Sequence, residues 1–503
     1  MSISKHAVWG LGWLLILGLG GCAHPVAPRA VLPEPIAQAL ERAGLPASSL
    51  AVAVLPLNGS DGGLLVQADR PMQPASAMKV VTSVVALDRL GPDIRSSTEL
   101  RAAGDRVDGH LQGELILRGG ADPELTLPAL WGLLLQAREA GLRRVSGDIV
   151  LDRTLFHPAR EDIGLPPFDE SPEFPYNVIP DALQLAGNLH VLELVSDGRA
   201  VQARLNPALA GVRLDNRLQL HADRSVPCRE WSGRGWQVPR AQVQDDGTVV
   251  LTLEGRFPQD CRQSQPLQLM ERNLQAQAQL RWLLGELGIA WSGRVREAQP
   301  GEFDGAQGRR TELLARRESR PWGEWIRPIN KISDNVATRL LYLLLGVEEA
   351  KRATAATPPP ARTTREWADA SVRRWFSDQG IDTAGLVMDN GSGLSRQERI
   401  TPRQLALLLR AAQGQMHAPD LLMSLPIAGV NGSLRGRMVD TPAQGRARLK
   451  PGTLRNAVAL AGYVDDAQGR RWVMAAMVNH DEAPRLGRPV LDALAAWVAA
   501  GPR

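Results

Sequence analysis

The stretch from Pro74 to Thr82 places a serine hydroxyl and a lysine amine three residues apart, ahead of an apolar run. If Ser76 begins a helix, Lys79 lies one turn further along the same face, because residues three apart on a helix are neighbours. A serine nucleophile needs a base within hydrogen-bond reach, and a lysine serves as that base where burial lowers its pKa. The stretch therefore predicts a nucleophile and its base on one helix, with an N-capping serine and a solvated lysine as the alternative.

Lysine is scarce in this chain. Of 58 lysines and arginines only five are lysine, namely Lys5, Lys79, Lys331, Lys351 and Lys450. Arginine cannot be deprotonated in a protein, so it cannot act as a general base, whereas a buried lysine can. In a chain that uses arginine for most positive charges, a remaining lysine indicates a chemical requirement. This bias favours the interpretation of Lys79 as a base.

Composition narrows the class of protein. The 503 residues leave room for about two to four domains, and 44% apolar with 22% charged residues is typical of a globular protein with a sizeable core. The net charge of +4 is small for this length, and no basic cluster alternates with aromatic residues, which argues against nucleic-acid binding. The eight histidines show no metal-ligand spacing, so we expect no metal site.

The first residues have the pattern of an export signal. Lys5 supplies a positive charge, and residues 8–19 form a short apolar run that is too short to be read as a membrane-spanning helix. Residues 1–22 are therefore predicted to be a signal peptide.

This signal ends in a sequence that resembles a bacterial lipobox. The residues Leu-Gly-Gly-Cys end at Cys22, and the resemblance implies cleavage before Cys22 and lipidation of it, with residues 23–31 as a tether. An ordinary signal peptide with a coincidental cysteine is the alternative. Ala23 follows the cysteine, and the absence of aspartate there resembles outer-membrane sorting. We expect a periplasmic protein that is anchored to the outer membrane through the lipid on Cys22.

With Cys22 assigned to the lipid, Cys228 and Cys261 remain as an even pair in an exported chain. Export permits a disulfide, and no histidine or cysteine stands near either residue at metal-ligand spacing. We predict that the two are bonded and close a loop of about thirty residues.

Hydrophobic patterning predicts a mixed α+β fold in which residues 97–317 are an insertion. That stretch contains short alternating segments between Gly/Pro/Asp turns, and we expect two β-rich accessory domains there. Residues 32–96 and 318–503 alternate strands with helices, and their early and late strands are expected to share one sheet. Within the later part, Ile329 to Leu345 is predicted to be one helix and Glu349 to Thr364 an exposed loop.

Three short motifs occur in a fixed order, and together they resemble those of active-site serine penicillin-binding proteins and β-lactamases. They are Ser76-x-x-Lys79, Ser333-Asp334-Asn335 on a predicted helical turn, and Lys450-Pro451-Gly452 at the start of a strand. Ser76 and Ser333 are 257 positions apart, which is too far for a simple β-lactamase. With this large insert, the chain resembles the DacB family of D-alanyl-D-alanine carboxypeptidases/endopeptidases, the class C low-molecular-mass penicillin-binding proteins. Further stretches that match this family are residues 119–123, 147–150, 389–395 and 425–434.

The resemblance implies a serine penicillin-binding/β-lactamase-like transpeptidase domain with helices flanking an antiparallel sheet, interrupted by the inserted domains. It also implies that Ser76 attacks the carbonyl of the penultimate D-Ala of a peptidoglycan peptide and that Lys79 takes its proton. Ser333 and Asn335 would relay protons and orient substrate, while Lys450 supports the relay electrostatically and helps to hold the terminal carboxylate. β-Lactams would acylate the same serine, and neither a metal nor an organic cofactor is required.

Gly452 lacks a side chain and permits close approach of a ligand. The resemblance implies that the backbone N–H groups of Ser76 and Thr453 form the oxyanion hole. One residue departs from the family pattern. The third motif is Lys-Thr-Gly in the family, but here the middle residue is Pro451, which has neither the hydroxyl nor the backbone N–H of threonine. Recognition of the substrate carboxylate is thus open.

Two alternatives to an active peptidase remain: a catalytically impaired relative that binds peptidoglycan as a scaffold, and a β-lactamase or esterase on the same scaffold. The balance between carboxypeptidase and endopeptidase activity is also left open by the sequence.

Overall fold

The computed structural model describes residues 32–59, 63–304, 308–356 and 362–502. The predicted signal peptide, the tether and Cys22 lie outside these ranges, and so do residues 357–361 of the predicted loop. The described chain is a mixture of helices and several sheets, as predicted.

The elements follow in chain order. The first part contains α1 (Glu34–Ala43), β1 (Leu50–Pro56), β2 (Leu64–Val66), a 3-10 turn (Ala75–Met78) and α2 (Lys79–Arg89). The middle part contains β3 (Ser97–Val107), β4 (His110–Arg118), α3 (Leu127–Glu139), β5 (Arg144–Val145), β6 (Ile149–Asp152), β7 (His190–Ser196), β8 (Val201–Asn206), β9 (Val212–Asn216), β10 (Gln219–Leu220), β11 (Arg240–Val243), β12 (Val249–Leu253), β13 (Arg256–Phe257), β14 (Arg262–Leu267), α4 (Arg272–Glu286), β15 (Ala290–Trp291), β16 (Val295–Glu297) and β17 (Glu312–Glu318).

The last part contains α5 (Trp322–Lys331), α6 (Asn335–Ala356), α7 (Thr364–Asp378), α8 (Pro402–Ala412), α9 (Ala418–Ser424), β18 (Ala447–Leu454), β19 (Ala457–Asp465), β20 (Arg471–Asn479) and α10 (Arg488–Ala500).

A five-stranded antiparallel sheet joins the two ends of the chain, in the order β18-β19-β20-β1-β2. Successive side chains of a strand point to opposite faces. In β1, Ala51 and Ala53 pack in the core that contains α2, α6 and α8, whereas Val52 and Val54 pack in the core that contains α1 and α10. This burial on both faces explains why β1 is a continuous apolar run. At the edge of the same sheet, β18 lies beside the 3-10 turn that precedes α2.

The middle of the chain forms its own sheets and cores. One mixed sheet has the order β15-β5-β4-β3-β17, with β6 and β16 attached, and α3 and α4 pack against it in one core. Smaller sheets have the orders β14-β7-β8, β11-β12-β9 and β10-β13, and their core is centred on Trp231 and Phe257. Cys228 and Cys261 form a disulfide at this second core, in which Cys261 is buried and against which the partly buried Cys228 packs.

The single helix predicted from Ile329 to Leu345 is wrong, because α5 and α6 are separate helices. The break falls at Ser333, whose φ of 64° lies in the left-handed region and cannot continue a right-handed helix. Asp334 then accepts a hydrogen bond from the N–H of Ala337 at 2.9 Å, which satisfies a free donor at the start of α6. Ser333 therefore lies between two helices and not on a helical turn.

The loop predicted from Glu349 to Thr364 is also wrong over its first half, since α6 continues to Ala356. Glu349 is buried and forms an ion pair at 2.6 Å with Arg374 of α7. This pairing with a neighbouring helix extends α6 beyond the point at which its apolar pattern fades.

Candidate active site

The three motif segments meet at one cleft of about 490 Å³. They are the 3-10 turn before α2, the break between α5 and α6, and the edge strand β18. Side chains from the inserted region line the same cleft, and the lining residues that matter here are Ser76, Ser333, Asn335, Thr453, Phe168 and Tyr176. The tertiary fold thus brings together residues that are hundreds of positions apart.

Ser76 and Lys79 face each other because the turn that carries Ser76 is a 3-10 helix. With three residues per turn, side chains three apart are eclipsed. The Nζ of Lys79 lies 3.1 Å from the Oγ of Ser76. The same amine donates hydrogen bonds to the Oδ1 of Asn335 at 2.6 Å and to the backbone carbonyl of Ser392 at 2.5 Å.

The environment of Lys79 favours the neutral amine. The side chain is fully buried, and this desolvation lowers its pKa to about 7 although the negative charges of Glu398 and Asp334 act in the opposite direction. A lysine with such a pKa is unprotonated in a substantial fraction of molecules near neutral pH. It can therefore accept a proton from Ser76.

Ser333 and Lys450 form the second hydroxyl–amine pair of the cleft. The Nζ of Lys450 donates to the Oγ of Ser333 at 2.9 Å and to the carbonyl oxygen of Pro451 at 2.7 Å. Lys450 is fully buried, and burial together with the positive charge of Lys79 holds the pKa of Lys450 well below its usual value. The positive φ of Ser333 aims its hydroxyl at this amine, and such strained conformations are common where function requires a fixed geometry.

Asn335 is oriented by partners on both ends of its amide. Its Oδ1 accepts from Lys79, and its Nδ2 donates to the backbone carbonyl of Tyr176 at 3.1 Å. Tyr176 belongs to the middle part of the chain, and its hydroxyl donates to Asp169 at 2.7 Å. The middle part therefore contributes directly to the order of the cleft.

The outer edge of β18 is free where it passes the cleft. Its beginning is covered, because the N–H of Leu449 donates to Pro426 at 3.0 Å and the carbonyl of Ala447 accepts from Ala428 at 2.9 Å. Backbone groups of a strand address alternate edges, so residues 451 and 453 face the same outer edge as residues 447 and 449. Among the described residues no strand pairs with this outer edge at 451–453.

This arrangement explains how the strand tolerates Pro451. A proline costs a ladder hydrogen bond only where its nitrogen faces a partner strand, and here the nitrogen faces the free edge. Thr453 presents its backbone N–H at the same edge. Its hydroxyl, by contrast, accepts a hydrogen bond from Arg488 of α10 at 3.3 Å, on the face away from Lys450.

The lysine bias has a structural counterpart. Within the described ranges, Lys79, Lys331 and Lys450 are buried and Lys351 is exposed. Lys331 donates to the backbone carbonyl of Leu425 and, at 2.8 Å, to the Oδ1 of Asn431. Three buried amines in one region agree with the use of lysine where an arginine would not fit.

Two residues at the cleft were not identified from the sequence. Ser392 supplies the carbonyl that accepts from Lys79, and Glu398 is fully buried close to the same amine. The stretch 389–395, which matches the family pattern, forms a turn beside the site. Glu398 lies among charged residues in the sequence, so no local pattern indicates its burial.

The described residues contain no group of three or more His, Cys, Asp and Glu side chains that could hold a metal ion. None of the helices in those ranges has the length and apolar character required to cross a membrane.

Comparison with known proteins finds similar sequences and a similar fold. The model of the D-Ala-D-Ala carboxypeptidase 3 (S13) family matches residues 32–500. The chain is 30% identical over 462 residues to a D-alanyl-D-alanine carboxypeptidase of Actinomadura sp. (strain R39), covering 88% of this chain and 78% of that protein. It is 27% identical over 418 residues to the D-alanyl-D-alanine carboxypeptidase DacB of Haemophilus influenzae, covering 81% and 80%.

The fold is also similar to a solved structure, that of penicillin binding protein 4 (dacB) from Haemophilus influenzae. The TM-score is 0.73 at 24% identity, and the match covers 92% of this chain and 99% of that chain. A second structure of the same protein, complexed with a β-lactam, has a TM-score of 0.69 at 23% identity and covers 91% and 98%.

Proposed function

This chain belongs to the D-Ala-D-Ala carboxypeptidase 3 (S13) family, and we propose that it cleaves peptidoglycan stem peptides through an acyl-enzyme on Ser76. It is a serine peptidase and therefore a hydrolase. The observation that carries the assignment of Ser76 is the fully buried amine of Lys79, 3.1 Å from the serine hydroxyl, with a pKa lowered to about 7.

The hydrogen bonds of Lys79 support its role as the base. A neutral amine has two N–H donors and one lone pair. The carbonyl of Ser392 and the amide oxygen of Asn335 accept the two donors, so the lone pair is left for the hydroxyl of Ser76. In this proposal Ser76 gives its proton to Lys79 while its oxygen attacks the carbonyl carbon of the penultimate D-Ala.

The oxyanion that forms in this step would be stabilised by the backbone N–H groups of Ser76 and Thr453. Thr453 presents its N–H at the free edge of β18, and Gly452 packs directly against the turn that carries Ser76. Donors aimed at a developing oxyanion commonly contribute a few kcal/mol each, about 3 kcal/mol in measured cases.

The pair formed by Ser333 and Lys450 is suited to the second half of the reaction. When the peptide C–N bond breaks, the leaving D-Ala nitrogen needs a proton. We propose that the hydroxyl of Ser333 gives its proton to this nitrogen and takes a proton from the ammonium of Lys79 in exchange. Lys450 donates to that hydroxyl at 2.9 Å and holds it in place. Water then attacks the acyl-enzyme carbonyl and returns Ser76 to its free form.

β-Lactams are proposed as covalent inhibitors of the same serine. The solved protein of similar fold is named as a penicillin binding protein and has been crystallised with a β-lactam. A β-lactam carbonyl in the cleft would meet the same nucleophile and the same oxyanion donors as a peptide carbonyl.

The test is to label purified residues 23–503 with a fluorescent penicillin and to map the labelled peptide. We expect a stable adduct on Ser76 that is absent from Ser76→Ala and present in Ser377→Ala, which removes an exposed serine of α7. Equal labelling of the parent and Ser76→Ala would exclude Ser76 as the nucleophile. No adduct on a folded parent would favour a wall-binding relative without catalysis, and rapid turnover of nitrocefin would favour a β-lactamase.

We further propose that Cys22 is lipidated and anchors the protein to the outer membrane from the periplasm. The support is the Leu-Gly-Gly-Cys sequence and the following Ala23. Mass spectrometry of the mature N-terminus should find a lipidated Cys22, and Cys22→Ala should release the protein into the soluble fraction. A mature N-terminus at another residue, with Cys22 removed or unmodified, would contradict the proposal.

For the domain organisation we propose a catalytic domain of residues 32–96 and 318–503 and an accessory region of residues 97–317. The shared sheet of β1, β2, β18, β19 and β20 and the separate cores of the middle part support this division. Hydrogen exchange on the whole chain should find two cooperative units with these boundaries. A single unit with uniform protection would contradict it.

A further inference from the structure

Glu398 is a fully buried carboxyl group that the mechanism above does not use. Its Oε1 accepts hydrogen bonds from three successive backbone N–H groups, those of Asp389 at 3.3 Å, Asn390 at 3.1 Å and Gly391 at 2.7 Å. Its Oε2 is buried without a hydrogen-bond partner. Burying a carboxylate is costly unless it is paired or hydrogen-bonded, so a group held in this way indicates a specific purpose.

The turn that Glu398 holds is attached to the helix of the base at two points. The hydroxyl of Thr82 donates to the carbonyl of Gly391 at 2.7 Å, and the amine of Lys79 donates to the carbonyl of Ser392 at 2.5 Å. Lys79 and Thr82 lie three residues apart on one face of α2. A continuous chain of hydrogen bonds therefore runs from the carboxyl of Glu398, through the backbone of residues 389–392, to the base.

The fit of this turn against the nucleophile is close. A β-carbon on Gly393 would lie 1.8 Å from the carbonyl oxygen of Ala75, the residue before Ser76, and one on Gly391 would lie 2.7 Å from the hydroxyl of Thr82. A small displacement of the turn would therefore move the carbonyl that orients Lys79. Misplacement by about 1 Å is enough to slow an enzymatic step about 100-fold.

We propose that Glu398 is a positioning residue for the base: its carboxyl group fixes the turn that presents the Ser392 carbonyl to Lys79, and its negative charge favours the ammonium that Lys79 becomes after taking the Ser76 proton. The inference rests on the proposed function, in which Lys79 is the base. It adds a buried carboxyl group behind the three motifs, and this group does not contact the substrate.

Several charged groups act on this pair. The charges that act on the amine of Lys79 are those of Glu398, Asp334, Arg339 and Lys450. The groups that act on the carboxyl of Glu398 are Asp389, Arg339 and the buried hydroxyl of Tyr342. Burial, aided by the charge of Asp389, raises the pKa of Glu398 to about 7. Where this carboxyl group is ionised its negative charge favours the ammonium form of Lys79, and where it is protonated that support is lost.

The test is the pH dependence of penicillin acylation in the full exported chain. Glu398→Gln keeps an oxygen that can accept the three backbone N–H bonds but removes the charge. Without that charge the ammonium form of Lys79 is disfavoured, so the midpoint of the acidic limb should move to lower pH by about 1 pH unit, and the plateau rate should fall several-fold because the base is weaker. Glu398→Ala also removes the acceptor, and its rate should fall about 100-fold at every pH.

The control is Glu349→Gln, which removes another buried carboxyl group, one paired with Arg374 between α6 and α7. It should leave the midpoint unchanged, and an equal shift in this variant would overturn the inference. An acylation profile of Glu398→Gln that coincides with the parent profile would overturn it as well. If the parent itself forms no adduct on Ser76, the proposed function fails first, so the two failures are distinguishable.

Discussion

Gly452 of β18 packs against the backbone of Ser76 so closely that a β-carbon on residue 452 would lie 2.8 Å from the Ser76 nitrogen and 2.5 Å from the carbonyl oxygen of Pro74. Side chains do not separate the edge strand from the nucleophile turn. The geometry of the proposed oxyanion donors thus depends on a backbone-to-backbone contact, and only glycine at position 452 permits it.

Gly452→Ala is expected to slow acylation of Ser76 by about 100-fold, because the added methyl group pushes β18 away from the turn and displaces an oxyanion donor. The measurement is the second-order rate of labelling by a fluorescent penicillin. Gly436→Ala is the matched control, since a β-carbon at position 436 meets no atom within 4 Å. The expectation would be contradicted if Gly452→Ala reacts within twofold of the parent rate, which corresponds to a change of only about 0.4 kcal/mol in the activation free energy.

The rate of acylation should depend on the protonation of Lys79. Its pKa of about 7 lies below the ordinary lysine value because of burial. The reactive form is the neutral amine, so the rate should rise about tenfold per pH unit below pH 7 and level off above it. Lys79→Arg should abolish acylation at every pH, because arginine stays protonated. Lys351→Arg, at an exposed lysine, should leave the profile unchanged. A flat profile between about pH 5.5 and 8.5 would argue against Lys79 as the base.

Pro451→Thr should improve recognition of the substrate carboxylate. Position 451 faces the free edge of β18, and threonine adds an N–H there without disturbing the pairing with β19. Its hydroxyl would lie on the same face of the strand as that of Thr453. One added hydrogen bond to a charged group is worth about 2 kcal/mol at most in this setting, so KM for a peptide ending in D-Ala-D-Ala should fall by up to about 30-fold with little change in kcat. Pro451→Ala separates the two contributions, since alanine restores only the N–H. An unchanged KM in both variants would show that this edge position does not contact the carboxylate.

The disulfide should stabilise the accessory region without affecting the chemistry. Cys228 and Cys261 are 33 positions apart, and a loop of that length contributes about 3–4 kcal/mol by restricting the unfolded chain. The double variant Cys228→Ser/Cys261→Ser should therefore unfold at lower urea concentration, as reported by the fluorescence of the neighbouring Trp231 and Trp236. The acylation rate of the folded variant should equal that of the parent, because neither cysteine lines the cleft. If the double variant is folded but is no longer acylated, the accessory region and the active-site cleft depend on each other, which contradicts this prediction.

The local signals in the sequence predicted most of the regular elements. The continuous apolar run of β1, the helical spacing after Ser76 and the alternation in the strands of the middle part are patterns of neighbouring residues. The error at Ile329 to Leu345 has a different origin. Apolar residues at helical spacing, Ile329, Ile332 and Val336, continue across Ser333. The break depends on a left-handed conformation that is held by contacts with β18.

The sequence by itself determined the order of the three motifs, the scarcity of lysine and the periodicity of the elements, because these are properties of residues near one another in the chain. The tertiary structure alone decided which groups surround the base. Lys79 is paired with Ser76 three positions away, but its other partners, Asn335 and Ser392, are 256 and 313 positions away. The pKa of a buried amine is set by desolvation and by charges in contact with it, and folding brings those groups together whatever their distance along the chain. Glu398 is one of the groups that folding brings beside Lys79, so its burial there could be seen only in the folded molecule.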